Sequence, residues 1–414
     1  MRVAHLLRKY DRAEWGGTES AIDRLFEGLR HHEVTPILYC PRINGRTDQH
    51  DREVRRFKAC VPAWGISDEQ KRQLVALGGN LMSFDLLPTL WRERDIDLIH
   101  THTLGRLGGI ASAVARGRRL PFVVSIHGGL MDRAPSIENG ADSRERNGFE
   151  WGRVFGLLLQ SRRLIEHSDA VFTCNPTEAS LLQKSFPTKR IEVQPHAVDT
   201  VSFQTDHRDA AREAFPQILG QDVLLCVGRI DPVKNQQWLV NEAPEIFRNH
   251  PKALLVLAGS CTNESYGRAI EHQIRQLGLT HRIVLTGGLP SGDPRLVGLL
   301  QQARAIILPS LSETFGIVVL EAWAAGTPVI SSRTSGASAL IQHGANGWLF
   351  DLSDASTFHV SLYQLLSNPS MRARLADTGR NLVASEYEIS AVARRVKNVY
   401  EELIEAKHAL RVAA

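Results

Sequence analysis

The chain has 414 residues, 43% of them hydrophobic and 23% charged, proportions of a folded chain that exclude a disordered, collagen-like or disulfide-stapled one. No apolar run approaches the roughly 18 residues a spanning helix needs. The net charge of +4 is mild, and no basic stripe interleaved with aromatics is present, so a nucleic-acid partner is excluded.

At a prior of roughly 150 residues per domain, the length suggests two or three domains. The start, Met1 to Leu7, carries no secretory apolar region and reads as a cytoplasmic protein. Cys40, Cys60, Cys174, Cys226 and Cys261 stand far apart with no CxxC spacing, so reduced, mostly buried thiols are expected. The Asn263-Glu264-Ser265 sequon reads as chance in such a chain. Residues 1–200 carry 29 Lys and Arg against 25 Asp and Glu, while residues 201–414 carry 20 of each. Part of that excess lies in the run from Arg52 to Lys58. A solvated helix face is the plain reading of it. The sharper one is a patch for an anionic acceptor or an anionic lipid surface, hence a peripheral contact at the inner membrane face.

In chain order, short nearly continuous apolar runs predict strands at Arg2–Leu7, Thr35–Cys40, Asp97–Thr101, Phe122–Ile126, Ala170–Thr173 and Ile191–Gln194. A second series follows at Asp222–Val227, Ala253–Ala258, Arg282–Thr286, Ala305–Leu308, Pro328–Ser331 and Gly347–Phe350. Such runs suit strands buried on both faces of a parallel sheet. Helix-period stretches lie between them at Ser20–Arg30, Trp151–His167, Gln236–Asn249, Gly316–Ala325 and Met371–Ser385. The alternation predicts a doubly wound α/β fold, two Rossmann-like domains rather than one large one. Pro195–Asp209 is the expected linker, and the pattern alone does not say where the helical tail after Ala391 packs. Ligands of open α/β sheets bind beyond the carboxyl ends of the strands, so two facing domains would define a cleft, and the motifs just after strands carry the chemistry.

The richest of these is Ser312-Glu313-Thr314-Phe315-Gly316-Ile317-Val318-Val319-Leu320-Glu321. Gly316 permits close backbone approach, and the first-turn amides have no intrahelical acceptor. A helix start so placed suits a phosphate or sugar hydroxyls. Glu313 and Glu321, about two turns apart, would accept from hydroxyls at two points of one ligand. The plain alternative makes Glu313 a helix cap and Glu321 a solvated residue. Next comes Gly228-Arg229-Ile230-Asp231-Pro232-Val233-Lys234-Asn235, where Arg229 and Lys234 can reach one anion and Asn235 would cap the next helix. Its alternative is an Arg229–Asp231 surface pair.

In the first half, Trp15-Gly16-Gly17-Thr18-Glu19 opens a helix with bare backbone but is not GxGxxG, so a nicotinamide dinucleotide is unsupported. Ser125-Ile126-His127-Gly128-Gly129 ends a strand with a histidine able to donate to a substrate, move a proton, or merely cap a turn. His100-Thr101-His102 lacks a third ligand at a recognised spacing, so no metal is assigned. Asp95-Ile96-Asp97 precedes its strand and reads as a turn rather than a metal-binding DxD. No GxSxG, P-loop or HExxH occurs.

These elements, in this order, resemble the GT-B glycosyltransferases with two Rossmann-like domains, specifically the retaining enzymes of family 4 (group 1). The most specific part runs from Pro309-Ser310 through Glu313, Glu321-Ala322 and Ala325-Gly326-Thr327-Pro328-Val329 to Gly344-Ala345-Asn346-Gly347. The resemblance implies an acceptor-binding domain at 1–200 and a nucleotide-sugar-binding domain at 201–390. It also implies a C-terminal helix at 391–414 that crosses back to the first domain. By it, Arg229 and Lys234 hold the donor diphosphate with the amides of Ile317 and Val318, and Glu321 accepts from the ribose. Glu313, with the backbone of Phe315 and Gly316, holds the donor sugar. Gly17 lies against the phosphates, and His127 contacts the transferring sugar near its C6 hydroxyl. Thr286-Gly287-Gly288-Leu289 matches the place where such enzymes hold the base through main-chain groups. The donor is a UDP- or GDP-type sugar, the acceptor a saccharide or lipid-linked glycan, and no further cofactor or metal is implied.

Two departures stand out. Asn235 replaces a common Gly, and Ala339 replaces the usual Glu of a Gly-Gly-x-x-Glu loop, here Ser335-Gly336-Ala337-Ser338-Ala339. The same residues would also serve a sugar phosphorylase or disaccharide synthase. A non-catalytic sugar-nucleotide-binding scaffold is the reading from a different class, and Ala339 is its support.

Overall fold

The computed structural model describes residues 1–10, 17–42, 53–68, 71, 81–128 and 152–412. Trp15 and Gly16 of the glycine turn, Arg52, Gly129 and Trp151 lie outside those residues. The chain divides into two compact units, Met1–Pro195 with Val392–Ala414, and His196–Ala391.

The first unit holds a seven-stranded sheet of β1 (Arg2–Leu6), β2 (Thr35–Pro41), β3 (Val54–Phe57), β4 (Leu98–Thr101), β5 (Phe122–Ile126), β6 (Ala170–Thr173) and β7 (Ile191–Val193). Its order is β3-β2-β1-β4-β5-β6-β7, and every pair is parallel. Strands β4, β5 and β6 are buried throughout, as their unbroken apolar runs require. One face packs on Leu107, Ile110, Ala111 and Val114 of the helix Gly105–Arg118. The other packs on Ala393, Val396, Tyr400 and Leu403 of the C-terminal helix Ile389–Val412. Each leucine, isoleucine or valine among them, taken out of water, contributes about 2 kcal/mol.

The second unit holds β8 (Asp222–Val227), β9 (Ala253–Ala258), β10 (Ile283–Gly287), β11 (Ala305–Leu308), β12 (Val329–Ser332) and β13 (Trp348–Phe350), all parallel. The order is β10-β9-β8-β11-β12-β13. In both sheets the strand order reverses beside the first strand, between β1 and β4 and between β8 and β11. Loops leaving such paired strands diverge and open a crevice at the carboxyl edge.

Several expectations need correction. The run Arg52 to Lys58 is not a solvated helix face: Val54–Phe57 is the edge strand β3, in register with Leu38–Pro41. Phe57 enters the core at 1% exposure, while Arg56 donates to the Pro41 carbonyl at 3.2 Å. Charges on a short edge strand block further pairing, which is why the segment looks unlike its neighbours. The stretch Trp151–His167 forms two short helices, Arg153–Leu158 and Leu164–His167, separated at Gln160 with φ 50°. Met371–Ser385 becomes the helix Pro369–Leu382 with a π-helical turn Val383–Tyr387. Pro195–Asp209 is not a bare linker: Asp199 caps the helix Thr200–Gln204 through the amides of Val201 and Ser202. Asn263 of the sequon caps the helix Glu264–Gln276, accepting from the Tyr266 amide at 3.0 Å. Asp95 and Asp97 both bind Arg2, which fixes the entry into β4. Cys40, Cys174 and Cys226 are buried, Cys60 and Cys261 exposed, and all are free thiols. No helix among the described residues is long and apolar enough to cross a membrane.

Candidate active site

The second unit concentrates the predicted residues at its switch point. β8 ends at Val227, and the turn that follows is pinned by Asp231, whose carboxylate accepts from the Val233 amide at 2.9 Å. Asp231 is thereby occupied and does not pair with Arg229, contrary to the plain alternative. Arg229 is exposed and makes no side-chain hydrogen bond or ion pair among the described residues. Its backbone carbonyl accepts from Gln236 Nε2 at 2.7 Å, which fixes the turn while leaving the guanidinium outward. Asn235 takes the N-cap position of the helix Gln236–Asn249, as expected, but its side chain does not cap it. It sits at φ 56°, ψ 36° with no capping bond, a left-handed conformation that Gly enters freely and Asn tolerates better than most.

Lys234 reaches across to the loop after β11 and forms an ion pair with Glu313, the two side chains 22% and 25% exposed. The loops are joined through the backbone as well, the Leu311 amide donating to the Val233 carbonyl at 2.8 Å. Glu313 is therefore a partner of Lys234, not a helix cap. The cap position falls to Gly316 at φ 94°, ψ 55°, which starts the helix Ile317–Ala324. The Val319 amide bonds back to Gly316 at 2.9 Å, leaving the Ile317 and Val318 amides at the helix start, where intrahelical acceptors do not exist. Glu321, on the same helix, is 4% exposed rather than solvated and accepts from Ser291 Oγ at 2.6 Å. Phe315 is buried, its ring 4.8 Å from that of His196.

Three glycines expose backbone along the same edge. Gly228 follows β8, Gly259 follows β9 and Gly287 closes β10 at φ 73°. A Cβ on Gly259 would stand 1.9 Å from the Gly228 carbonyl oxygen, so only glycine allows the two loops to touch. Leu289, half-buried, lies two residues beyond β10. The loop that lacks the usual Glu supports Glu313 from behind: the Gly336 amide and Ser335 hydroxyl both donate to the Glu313 carbonyl, at 2.8 and 3.2 Å. Ala339 itself is exposed on the helix Ser335–Leu340. Asn346 is buried and ties Gln342 and Leu340 together, while its carbonyl accepts from the Trp323 indole at 2.9 Å.

In the first unit Gly17 is exposed and begins the helix Gly17–His31. His127, half-buried just past β5, bonds through Nε2 to His102 Nδ1 at 2.8 Å. His102 Nε2 in turn meets His5 Nδ1 at 2.9 Å. His100 is bound separately, Nδ1 to the Tyr400 hydroxyl at 2.5 Å and Nε2 to Ser125 Oγ at 2.7 Å. Burial holds His5 down to about 3 and His127 to about 4, and sets His100 well below its ordinary value. The third histidine that spacing lacked is thus His5, yet both ring nitrogens of His100 and of His102 already have partners.

Sequence reasoning missed Gly259, Ser291, His5 and His102 as members of these clusters. Ala258-Gly259-Ser260, directly after a strand, obeyed the same rule that exposed Gly228 and was readable. The others depend on strand register and tertiary approach.

Two doubly wound parallel sheets of this kind define the GT-B architecture. The family model for Glycosyl transferases group 1 matches residues 207–382, and that for Glycosyltransferase Family 4 matches residues 15–202. An uncharacterised glycosyltransferase of Methanocaldococcus jannaschii is 28% identical over 98% of this chain and 99% of its own. A D-inositol 3-phosphate glycosyltransferase of Catenulispora acidiphila is 29% identical, over 76% of this chain and 73% of its own. The Anabaena protein HepE, solved in complex with UDP and glucose, superposes with a TM-score of 0.71 at 17% identity, covering 97% of this chain and all of its own. The chain belongs to the group 1, family 4 glycosyltransferases of GT-B fold.

Proposed function

We propose that the protein is a retaining glycosyltransferase that moves a sugar from a nucleoside-diphosphate donor to a saccharide or lipid-linked acceptor in glycan or polysaccharide biosynthesis. The reading rests on one observation above all. Lys234, leaving β8, is held in place by Glu313, leaving β11, beside a helix start opened by Gly316. Breaking the bond from C1 to the phosphate oxygen builds negative charge on the diphosphate. Arg229, Lys234 and the Ile317 and Val318 amides supply fixed positive charge there, without a metal. Glu321 and Glu313 accept from ribose and sugar hydroxyls, and backbone at Gly287, Gly288 and Leu289 holds the base, of UDP or GDP type. HepE was solved with UDP and glucose, which supports a UDP donor. On this reading the second unit binds the donor and the first the acceptor.

Transfer follows a front-face course. The new C1–O bond forms on the face the diphosphate leaves, and the acceptor proton passes to a phosphate oxygen of the departing group. A nucleoside-diphosphate thermal-shift panel, then turnover with the matching sugar donor and an acceptor panel, tests this. Proton NMR of the first-formed product should show the anomeric configuration of the donor. Inversion would remove the front-face course, and absence of any nucleoside-diphosphate stabilisation would remove the donor site.

A further inference from the structure

Beyond Val227 the chain leaving β8 keeps its ladder on one side. The Gly228 amide donates to the Ala258 carbonyl and the Ile230 amide to the Ser260 carbonyl, each at 2.9 Å, and Ile230 bridges Cys261 in parallel. The Gly228 carbonyl oxygen faces the same way, so close to Gly259 that a Cβ there would stand 1.9 Å from it. In a trans peptide the C=O and the N–H point in opposite directions. The Arg229 N–H therefore points away from β9, towards the β11 side of β8. That is the side where β11 ends at Leu308 and the loop after it brings Glu313 to Lys234. No hydrogen-bond acceptor meets the Arg229 N–H among the described residues.

The Arg229 carbonyl also lies beyond the ladder on that side, for β11 pairs with β8 at Leu224 and Leu225. Gln236, 1% exposed, serves it instead. Its Nε2 donates to the Arg229 carbonyl at 2.7 Å and to the Gly228 carbonyl at 3.4 Å, and its Oε1 accepts from the Asp231 amide at 3.5 Å. Carbonyls on one atom and an N–H on the other fix which way the side-chain amide is turned. One buried side chain thus grips both peptide groups that flank the Arg229 Cα. We infer that Gln236 is a positioning residue that aims the Arg229 N–H into the crevice as a main-chain donor to a nucleoside diphosphate. The direction of the N–H stands on backbone geometry, and the ligand rests on the donor-site reading above. A peptide donor held on both sides needs no ordering when the anion arrives, whereas the exposed Arg229 guanidinium does.

The test uses the full chain labelled with nitrogen-15 arginine, the Arg229 backbone amide being assigned by its loss in Arg229→Lys. UDP and GDP are the probes, and the one that stabilises the protein in a thermal-shift measurement is carried forward. At saturation the Arg229 amide proton should move downfield and its exchange with solvent should slow, as a new hydrogen bond to phosphate requires. A nucleotide that stabilises the protein while this amide keeps its shift overturns the inference and leaves the donor-site reading standing. Stabilisation by neither nucleotide removes both. This titration of the unsubstituted chain needs no variant to fold. Gln236→Met and Gln236→Leu, close in size and without a donor, should each weaken the nucleotide about tenfold, the effect of one hydrogen bond to a charged group. They should also abolish the movement of the Arg229 amide on binding, a signature that a general loss of stability would not produce. Nucleotide affinity within about twofold of the unsubstituted chain, with the amide still moving, would overturn the role of Gln236.

Discussion

The two units share a strand plan and differ in what they do with it. Each reverses its strand order beside the first strand, and each brings polar side chains to that reversal. In the second unit the polarity is ionic and kept partly wet: Lys234 with Glu313, and Arg229 outward. In the first it is neutral and dry, imidazoles under aromatic rings, with Phe26 4.6 Å from His5 and Tyr400 5.7 Å from His100. A partly exposed ion pair contributes only about 1 kcal/mol or less to stability. Its effect is to hold the Lys234 charge at a fixed place beside the helix start at Gly316. The buried imidazoles of the first unit carry little charge, and their hydrogen bonds fix ring orientation instead. The same topology therefore carries a fixed ion pair in one unit and buried, hydrogen-bonded imidazoles in the other.

That contrast can be broken at several points. The largest effect should come from Lys234→Ala, which should lower kcat by about 10²–10³-fold, the cost of removing one donor to developing charge. Nucleoside-diphosphate release measures it, and a loss under about threefold would erase the distinction drawn for the second unit. Gly259→Ala forces a Cβ to 1.9 Å from the Gly228 carbonyl, and overpacking of this kind costs about 3 kcal/mol in urea denaturation. A neutral result would mean the glycine edge is not tight.

The pH response should sharpen the other half. His5 is neutral when folded, with its value lowered to about 3, and ordinary when unfolded. Between the two values the unfolded chain binds the extra proton. Stability is therefore full above about pH 6.5 and declines as pH falls towards 3, a loss of about 2 kcal/mol at pH 5 from this one group. His5→Phe should flatten the pH dependence of unfolding between pH 7 and 5, and an unchanged slope would count against a neutral His5 ring. The smallest effect belongs to Asn235: Ala at φ 56° should cost about 1 kcal/mol, and Gly close to none, by thermal unfolding.

How much of this was readable follows from distance along the chain. Strands such as β9, Ala253–Ala258, announce themselves because burial on both faces leaves no polar alternation to misread. β3 does not, because Arg55 and Arg56 fill half of a four-residue edge strand. The break at Gln160 was hidden because nothing in that residue type demands φ 50°. In the candidate site, Arg229, Lys234 and Glu313 stood out because they follow a strand by two, seven and five residues, and Glu321 because it lies about two helical turns beyond Glu313. Lys234 with Glu313 as partners was not, for they stand 79 positions apart. His5 and His102, 97 positions apart, meet only because β1 and β4 lie side by side in register, which no local pattern encodes.

The support behind Glu313 separates two kinds of freedom within one short helix. Both bonds to the Glu313 carbonyl come from residues 335 and 336, and a Cβ at 336 would press to 2.4 Å from the Phe315 nitrogen. Ser338 and Ala339 point into solvent on the same helix. The outer pair can be rewritten at small mechanical cost while the inner glycine is locked, so a residue without a carboxylate at 339 leaves the scaffold of the acid intact.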